Sequence, residues 1–255
     1  MQVKLTKPTV ELFLTDLHFP TESPQVFNLI TQVAKDVKPN ILWLNGDTMD
    51  FKSISHFLTK PDARASLNVD IIHARRRLRQ LRELLPDAIM YYKFGNHDLR
   101  LQKYLWSKAP ELSGLEDLEL GSLLRLNQLE AITVAGDEKA LIGQLFHLHG
   151  HEIATGYTYP AKTMLTKANA NVIFGHVHKF SVAYQNTLDG SVHVCWSIGC
   201  GQTLDVDYDM HPNWQEGFAL IEYTKEGIFH INPIEVFSRN GKKCCMVYGR
   251  LYTAS

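Results

Sequence analysis

Six short apolar runs, rich in β-branched and aromatic residues, each end in a cluster of polar residues along this chain. Runs of this length and composition are typical of buried β-strands. The pattern therefore predicts strands within residues 11–16, 40–47, 89–98, 145–152, 172–178 and 192–199.

Helical signals separate the first three predicted strands. Ser23 and Pro24 have the N-cap and first-turn positions of a helix, and an apolar stripe follows over 26–37. A second helix is predicted over about 63–85. Its buried face is expected to contain apolar residues, namely Ile71, Ile72, Leu78, Leu81 and Leu85.

The last part of the chain changes to strands joined by tight turns. Residues 218–223 and 228–237 flank a Lys-Glu-Gly turn and predict a β-hairpin, within a β-rich extension over about 215–255. Early strand-helix alternation followed by hairpins favours a mixed sheet, or two sheets packed face to face with helices outside. In such α/β folds, ligands bind at the carboxyl ends of the strands.

Composition narrows the class of protein. The chain has 255 residues, of which 45% are hydrophobic, and a net charge of −1, which favours a single folded domain over 1–255. The near-neutral charge disfavours a protein that coats nucleic acid by bulk electrostatics. Without a signal-peptide pattern or a membrane-spanning run, we expect a soluble, cytoplasmic protein with no membrane partner. Its four cysteines form no C-x-x-C pair and are expected to be reduced structural thiols.

Five polar clusters follow the predicted strands. They are Asp16-Leu17-His18, Gly46-Asp47-Thr48-Met49-Asp50, Gly95-Asn96-His97-Asp98, His149-Gly150-His151 and Gly175-His176-Val177-His178. A lone histidine is more often a hydrogen-bonded core residue than a ligand, but five clusters at strand ends favour metal chelation. In an extended segment, side chains at i and i+2 lie on the same side, so Asp16 with His18, and His176 with His178, can converge.

The ligand types narrow the metal. Carboxylate, carboxamide and imidazole groups without thiolate suit Mn²⁺, Fe²⁺, Zn²⁺, Co²⁺ or Ni²⁺. One carboxylate can bridge two ions that lie about 3.5–4 Å apart, and Asp47, central in the order of the clusters, is the natural bridge. We therefore predict a centre of two divalent metal ions, with Mn²⁺ as the first expectation.

In this order, D-x-H, G-D-x-x-D, G-N-H-D, H-G-H and G-H-x-H resemble the motifs of the calcineurin-like metallophosphoesterase superfamily. The resemblance covers roughly residues 12–201. It implies a four-layer α/β/β/α sandwich of two mixed β-sheets flanked by helices. A helical, arginine-rich insertion over about 62–86 would be in a position to cap the site.

The resemblance also implies a role for each motif residue. It assigns two sets of metal ligands that share one aspartate: Asp16, His18, Asp47 and His178, and Asp47, Asn96, His149 and His176. His97 would bind no metal and would protonate the leaving oxygen of the substrate. Asp50 would hydrogen-bond His97, orient it and raise its pKa. His151 is expected near the site without binding metal. The implied reaction is attack on phosphorus by a hydroxide held between the metals.

The substrate class is indicated by departures from the protein phosphatases of the superfamily. No glycine follows His18, Asp98 stands where those enzymes have glutamate, and no arginine follows Asp50. These departures favour a phosphodiesterase acting on nucleotides or nucleic acid. One alternative is a phosphomonoesterase acting on a small molecule or a protein, which would need extra cationic contacts for its dianionic phosphate. The other is a non-catalytic scaffold subunit that keeps the fold, although retention of every ligand and of His97 weighs against it.

Three further groups of residues are candidates for a part in substrate binding. Arginines of the segment 64–82 could grip a phosphate, but a solvated helix face is the more common interpretation of such a charge run. Trp43, Trp106, Trp196 and Trp214 could stack on a base, but Trp43 and Trp196 fall within strand runs and are expected in the core. Asp205, Asp207 and Asp209 are expected to form a polar loop near the cleft. The oligomeric state stays open.

Overall fold

The computed structural model describes residues 1–55, 66–153, 158–204 and 213–255. Within these ranges the strands are β1 (Gln2–Val3), β2 (Thr9–Leu14), β3 (Ile41–Asn45), β4 (Ile89–Lys93), β5 (Ile132–Val134), β6 (Ala140–Ile142), β7 (Leu145–His147), β8 (Val172–Phe174), β9 (Ser181–Asn186), β10 (Val192–Ser197), β11 (Gly217–Tyr223), β12 (Phe229–Glu235), β13 (Phe237–Arg239), β14 (Lys242–Val247) and β15 (Arg250–Thr253). The α-helices are α1 (Pro24–Val37), α2 (Leu67–Leu84), α3 (Arg100–Lys108), α4 (Leu120–Leu123) and α5 (Pro160–Ala168). Short 3₁₀ turns lie at Lys52–Ile54, Pro110–Leu112, Glu116–Leu118 and Leu126–Leu129.

The described strands form two mixed sheets of six strands each and a smaller third sheet. Sheet I has the order β12-β11-β2-β3-β4-β5, in which β2 to β5 are parallel and β11 is antiparallel to β2 and β12. Sheet II has the order β1-β6-β7-β8-β10-β9, with β7, β8 and β10 parallel. The third sheet, β13-β14-β15, is antiparallel and lies against α1. The predicted hairpin is confirmed as β11 and β12.

Alternate residues of sheet I face two different cores, as the period of a strand requires. Leu12, Leu42 and Tyr92 pack in one cluster with buried residues of α1 and α2. Phe13 and Trp43 pack in a second cluster with residues of sheet II. A third cluster joins α5 to β8 and β10 of sheet II. Helices, two mixed sheets and a further helix therefore form successive layers, and the predicted α/β/β/α sandwich is confirmed.

Local signals at α1 act as predicted. The Ser23 hydroxyl accepts a hydrogen bond from the Val26 amide at 3.4 Å, and Pro24 is the first helical residue. The apolar stripe is buried on the sheet side. Lys38 then ends the helix in the left-handed conformation. Because the cap and the stripe are encoded within one segment, this element follows from sequence alone.

Helix α2 lies in the chain between parallel strands β3 and β4 and packs on α1. The predicted burial of Ile72 is wrong: its side chain is 53% exposed, whereas Ile71, Leu78, Leu81 and Leu85 are buried. A helix presents only one stripe to a core, and Ile72 is one step of 100° away from Ile71.

Three of the five arginines of α2 contact protein groups. Arg75 donates to the Leu123 carbonyl, Arg82 donates to the Ala88 carbonyl at 2.8 Å, and Arg77 donates to Glu22 Oε1 at 2.8 Å. These contacts tie the helix to neighbouring segments. Residues 62–65, including Arg64, lie outside the described ranges, so a capping role for this segment stays a prediction.

The structure also places the cysteines and the tryptophans that were expected in the core. Trp43 is fully buried and Trp196 packs against the core between the sheets. All four cysteines are buried free thiols. Asp205, Asp207 and Asp209 lie outside the described residues. Among the helices that are described, none combines the length and apolarity needed to cross a bilayer.

Candidate metal centre

The loops that follow β2, β3, β4, β7 and β8 meet at one place, where backbone and side-chain hydrogen bonds join them. The amides of Asp16 and His18 donate to the carbonyls of Gly46 and Asp47 at 3.1 and 2.9 Å, which joins the first two loops. Gly175 donates to the His149 carbonyl at 2.9 Å, which joins the loops of sheet II. The five polar clusters predicted at strand ends are therefore brought together from both sheets.

One group of potential ligands consists of Asp16, His18 and His178, all buried. Nε2 of His178 lies 3.1 Å from Asp16 Oδ1 and 3.3 Å from His18 Nε2. Nε2 of His18 lies 3.8 Å from the same carboxylate oxygen. Two imidazole nitrogens and a carboxylate oxygen thus face one small volume, the arrangement that a divalent cation requires.

The second group consists of Asp47, His149 and His176. Nε2 of His149 lies 3.2 Å from Asp47 Oδ2 and 3.2 Å from Asn96 Oδ1, so the carboxamide oxygen points into the same volume. Asp47 lies in the second group, while its charge also raises the pKa of His18 in the first. The structure thus brings all seven predicted ligands together, and bridging by Asp47 stays a prediction.

Charges in the two groups show how the site would accommodate a cation. Burial opposes ionisation of Asp16, but contact with His178 holds the pKa of this carboxyl well below its usual range. Burial likewise opposes charge on the imidazoles, but the neighbouring aspartates raise the pKa of His18 and of His149 to about 10. Protons on the histidines therefore balance the negative charge of the aspartates, which bound metal ions would balance instead. A donor set of nitrogen and oxygen atoms without thiolate fits divalent ions.

Outer contacts orient the ligands. Nδ1 of His149 lies 2.8 Å from the Asn45 carbonyl, so it carries the ring proton and leaves Nε2 toward the centre. The amides of His149 and Gly150 donate to Glu152, at 3.0 and 2.6 Å, and Glu152 pairs with the buried ammonium of Lys93 at 3.0 Å. Thr15 Oγ1 donates to Asp16 Oδ2 at 2.6 Å, which leaves Oδ1 for the histidines.

The backbone brings the paired ligands together by a different route from the extended geometry expected. Five of the predicted ligands have positive φ: Asp16 (53°), His18 (52°), Asp47 (48°), His176 (67°) and His178 (54°). All five lie beyond the ends of their strands. Such conformations cost roughly 1–3 kcal/mol each in non-glycine residues and cluster at functional sites. The expectation of an extended i, i+2 pair is wrong, because the chain bends at the ligands themselves.

Two glycines make room for the carboxylates. A Cβ atom on Gly175 would overlap Thr15 Oγ1 and Asp16 Oδ2, and one on Gly95 would overlap Asp47 Oδ1. Glycine is therefore required at these two positions by close approach.

His97 lies beside the two groups and contacts Asp50 as predicted, and these two residues form a third group of potential ligands with His18. Nδ1 of His97 is 3.0 Å from Asp50 Oδ1, and its amide donates to Asp47 Oδ1 at 2.7 Å. Asp50 acts to raise the pKa of His97, as predicted, but the net shift is downward. Burial lowers this pKa, and burial together with the charges of His18 and Arg100 outweighs the opposing effects of Asp47 and Asp50. Asp50 itself has a depressed pKa, since His18 and His97 outweigh the effect of its burial.

His151 lies near the centre without joining either group. Its ring centroid is 5.3 Å from that of His149, and its Nδ1 lies 3.7 Å from Glu152 Oε2. This placement agrees with the expectation of a residue near the site.

Three contributors were missed at the level of sequence, and a fourth, Asp98, was placed in its cluster without a role. Arg100 contacts Asp50 and His97, Glu152 and Lys93 hold the loop of His149, and Asp98 accepts hydrogen bonds from Met49 and Gly95, each at 2.9 Å. Weak signals existed. Arg100 follows His97, and Glu152 follows His149, by three residues, while Lys93 is a charge inside an apolar strand.

Comparison with known proteins gives likeness of architecture only. No family model matches the chain, and no curated protein matches it. A Vps29 double mutant from Entamoeba histolytica is 15% identical, with 96% of each chain covered and a TM-score of 0.38. Yfce, a phosphoesterase from E. coli, is 14% identical over 88% of this chain and 98% of its own, with a TM-score of 0.42. A predicted phosphoesterase from Streptococcus pneumoniae is 11% identical over 91% and 98%, with a TM-score of 0.32. Phosphoesterases are thus among the structures that resemble this chain. Because the identities and TM-scores are low, only the geometry of the site can indicate an activity.

Proposed function

We propose that this chain is a dinuclear-metal-dependent phosphoesterase that cleaves phosphodiesters of nucleotides or nucleic acid. The observation that carries the proposal is a pair of ligand groups from the four loops after β2, β3, β7 and β8, and in each group the ligand atoms lie within 4.8 Å of one another. Beside them lie His97 and Asp50, 3.0 Å apart, which also form a third group of potential ligands with His18. Metal-assisted phosphoryl transfer to water requires two sets of metal ligands and a nearby titratable side chain such as a histidine.

The residues divide into metal ligands and a proton donor. Asp16, His18 and His178 would hold one ion, Asn96, His149 and His176 the other, and Asp47 both. Divalent ions of the Mn²⁺ kind, when bound, lower the pKa of water and neutralise phosphoryl charge. His97 would give the proton on Nε2 to the leaving oxygen as the bond from phosphorus to that oxygen breaks.

The described geometry sets a condition on this proton transfer. A guanidinium only donates, so the 2.9 Å contact between Arg100 Nη2 and His97 Nε2 makes Nε2 an acceptor and places the ring proton on Nδ1, toward Asp50. Nε2 can serve as the donor only after Arg100 has moved off it and Nε2 has taken up a proton from water, while Nδ1 keeps its proton toward Asp50. Asp50 would keep the ring oriented during that change.

Trp214 supports a nucleotide as the substrate. Its ring lies edge-on to His178 with centroids 4.5 Å apart, and it is half-buried. An aromatic ring beside a phosphate site can stack on a base, which contributes about 1–3 kcal/mol.

The first test is hydrolysis of bis-p-nitrophenyl phosphate and p-nitrophenyl phosphate after chelation and reloading with Mn²⁺. We expect cleavage that depends on the metal. The variant His97→Ala should keep both ions by elemental analysis and lose about 10²–10⁴-fold in turnover. The loss should be larger with diphenyl phosphate, because phenolate is a poorer leaving group and needs the proton more. The matched control is His230→Ala, at an exposed histidine of β12.

The outcomes separate the alternatives. Cleavage of the monoester alone would favour a phosphomonoesterase. A protein that holds two metal ions and cleaves neither substrate would favour the scaffold subunit. Loss of metal from His97→Ala would show that His97 is a ligand and would remove it from the role of acid.

A further inference from the structure

Arg100 is the first residue of α3 and reaches back over the site. Its Nη1 donates to the Asp50 carbonyl at 2.7 Å and lies 3.3 Å from Asp50 Oδ1. Its Nη2 lies 2.9 Å from His97 Nε2. The side chain is 16% exposed, so it is largely buried beside the centre and keeps some access to solvent.

The two ends of this guanidinium have different partners. Nη1 is anchored by a backbone carbonyl and a carboxylate of Asp50. Nη2 contacts a neutral imidazole nitrogen, which is a weaker acceptor than a phosphate oxygen because it carries no charge. An incoming phosphoryl group would therefore take Nη2 from His97 while Nη1 keeps the arginine in place.

Nη2 of Arg100 lies where it could contact a bound substrate. In the proposed function, His97 Nε2 faces the leaving oxygen, so a group within hydrogen-bond distance of Nε2 also lies beside the phosphoryl group. The planar guanidinium suits this contact, because its donors are held in a rigid fork that matches phosphate oxygens.

From this geometry we propose that Arg100 binds a non-bridging phosphate oxygen and thereby lets the centre accept phosphomonoesters as well as diesters, an inference that rests on the proposed function. A monoester has three non-bridging oxygens and two negative charges, whereas a diester has two oxygens and one charge. The additional oxygen and charge need an additional cation. No arginine follows Asp50 in the chain, and α3 supplies one to Asp50 instead.

The test compares Arg100→Gln and Arg100→Lys with Lys103→Gln, which removes an exposed positive charge from the same helix. For Arg100→Gln we expect kcat/KM for p-nitrophenyl phosphate to fall by about 10–100-fold, the value of a charge-assisted hydrogen bond. Cleavage of bis-p-nitrophenyl phosphate should fall much less. Arg100→Lys should lie between Arg100→Gln and the unchanged protein, since it keeps the charge and loses the fork. Lys103→Gln should behave as the unchanged protein.

A binding measurement decides the inference independently of turnover. Inorganic phosphate is titrated calorimetrically into each Mn²⁺-loaded protein, with metal content and thermal unfolding measured alongside. Weaker phosphate binding in Arg100→Gln, with both metals kept, supports the inference. Equal phosphate binding, or an equal loss of monoester and diester cleavage, overturns it. If the unchanged protein cleaves neither ester, the proposed function fails, and phosphate binding still decides the role of Arg100.

Discussion

Asp16 shows how a single residue is held at the candidate centre. Its φ of 53° is unfavourable for an aspartate, and two hydrogen bonds to Oδ2, from Thr15 Oγ1 and the His176 amide, offset this cost. They direct the other oxygen, Oδ1, toward His178. The strain is therefore stored at the side chain that would bind metal.

Gly175 permits this arrangement, and replacing it should remove it. In Gly175→Ala the new methyl group would overlap Thr15 Oγ1 and Asp16 Oδ2, so Asp16 must move away from His178. We expect the loss of at least one metal ion per chain, measured by elemental analysis after dialysis against Mn²⁺. Gly121→Ala is the control, because a methyl group there meets nothing within 4 Å. Full metal content in Gly175→Ala would show that Asp16 is not a ligand.

At the scale of elements, α2 combines a structural role with an electrostatic cost. Asp70 lies in its first turn and is only 1% exposed. Its Oδ1 has no hydrogen-bond partner among the described residues. Burial, together with the charge of Asp50, raises the pKa of Asp70 to about 6. The helix dipole favours an anion at this end but does not outweigh these effects.

The raised pKa predicts that Asp70 destabilises the fold above neutral pH. The folded state holds the Asp70 proton more tightly than the unfolded state, in which the pKa of an aspartate is about 3.9. The stabilising contribution of this proton is therefore present at low pH and is lost as the pH rises through about 6. Asp70→Asn should therefore increase the free energy of unfolding by about 1–3 kcal/mol at pH 8 and by little at pH 4. Thermal unfolding at both pH values, with the exposed Asp87→Asn as control, measures the difference. A shift that does not depend on pH would contradict the assignment.

At the scale of the whole molecule, the candidate centre joins the two sheets. Asp16, Asp47 and Asn96 follow strands of sheet I, whereas His149 and His176 follow strands of sheet II. A buried polar network joins the same sheets elsewhere. Glu11 contacts His147 at 2.9 Å and accepts a hydrogen bond from Tyr223 at 2.8 Å. Metal binding should therefore be linked to the stability of the entire sandwich.

Chelation should consequently lower the melting temperature. Ions present at about 100 times their dissociation constant add roughly 2.7 kcal/mol for one site, and each kcal/mol corresponds to about 2–4 °C in a chain of this size. We expect a fall of about 5–10 °C on chelation and recovery with Mn²⁺, measured by scanning calorimetry. Asp47→Asn should lose most of this response. If the protein has demonstrably released bound metal and its melting temperature is unchanged, metal binding at the centre does not stabilise the fold.

The sequence by itself determined the features that are encoded locally. The N-cap at Ser23, the stripe of α1, the strand runs and the hairpin of β11 and β12 each depend on neighbouring residues. Polar clusters after parallel strands meet at one edge of a sheet, which predicted where a site would lie. The resemblance of their motifs to a known superfamily implied which of these side chains would be ligands.

Only the tertiary structure decided how those side chains interact. The contact of Arg100 with Asp50 joins residues 50 positions apart, and the contact of His178 with Asp16 joins residues 162 apart. The pKa of His97 depends on burial and on the charges of Asp47 and His18 in other loops, which no local pattern records. The left-handed backbone at the ligands arises because surrounding packing and hydrogen bonds offset its cost. Sequence periodicity reports which face of an element is buried, whereas the chemistry of this site depends on distances between elements.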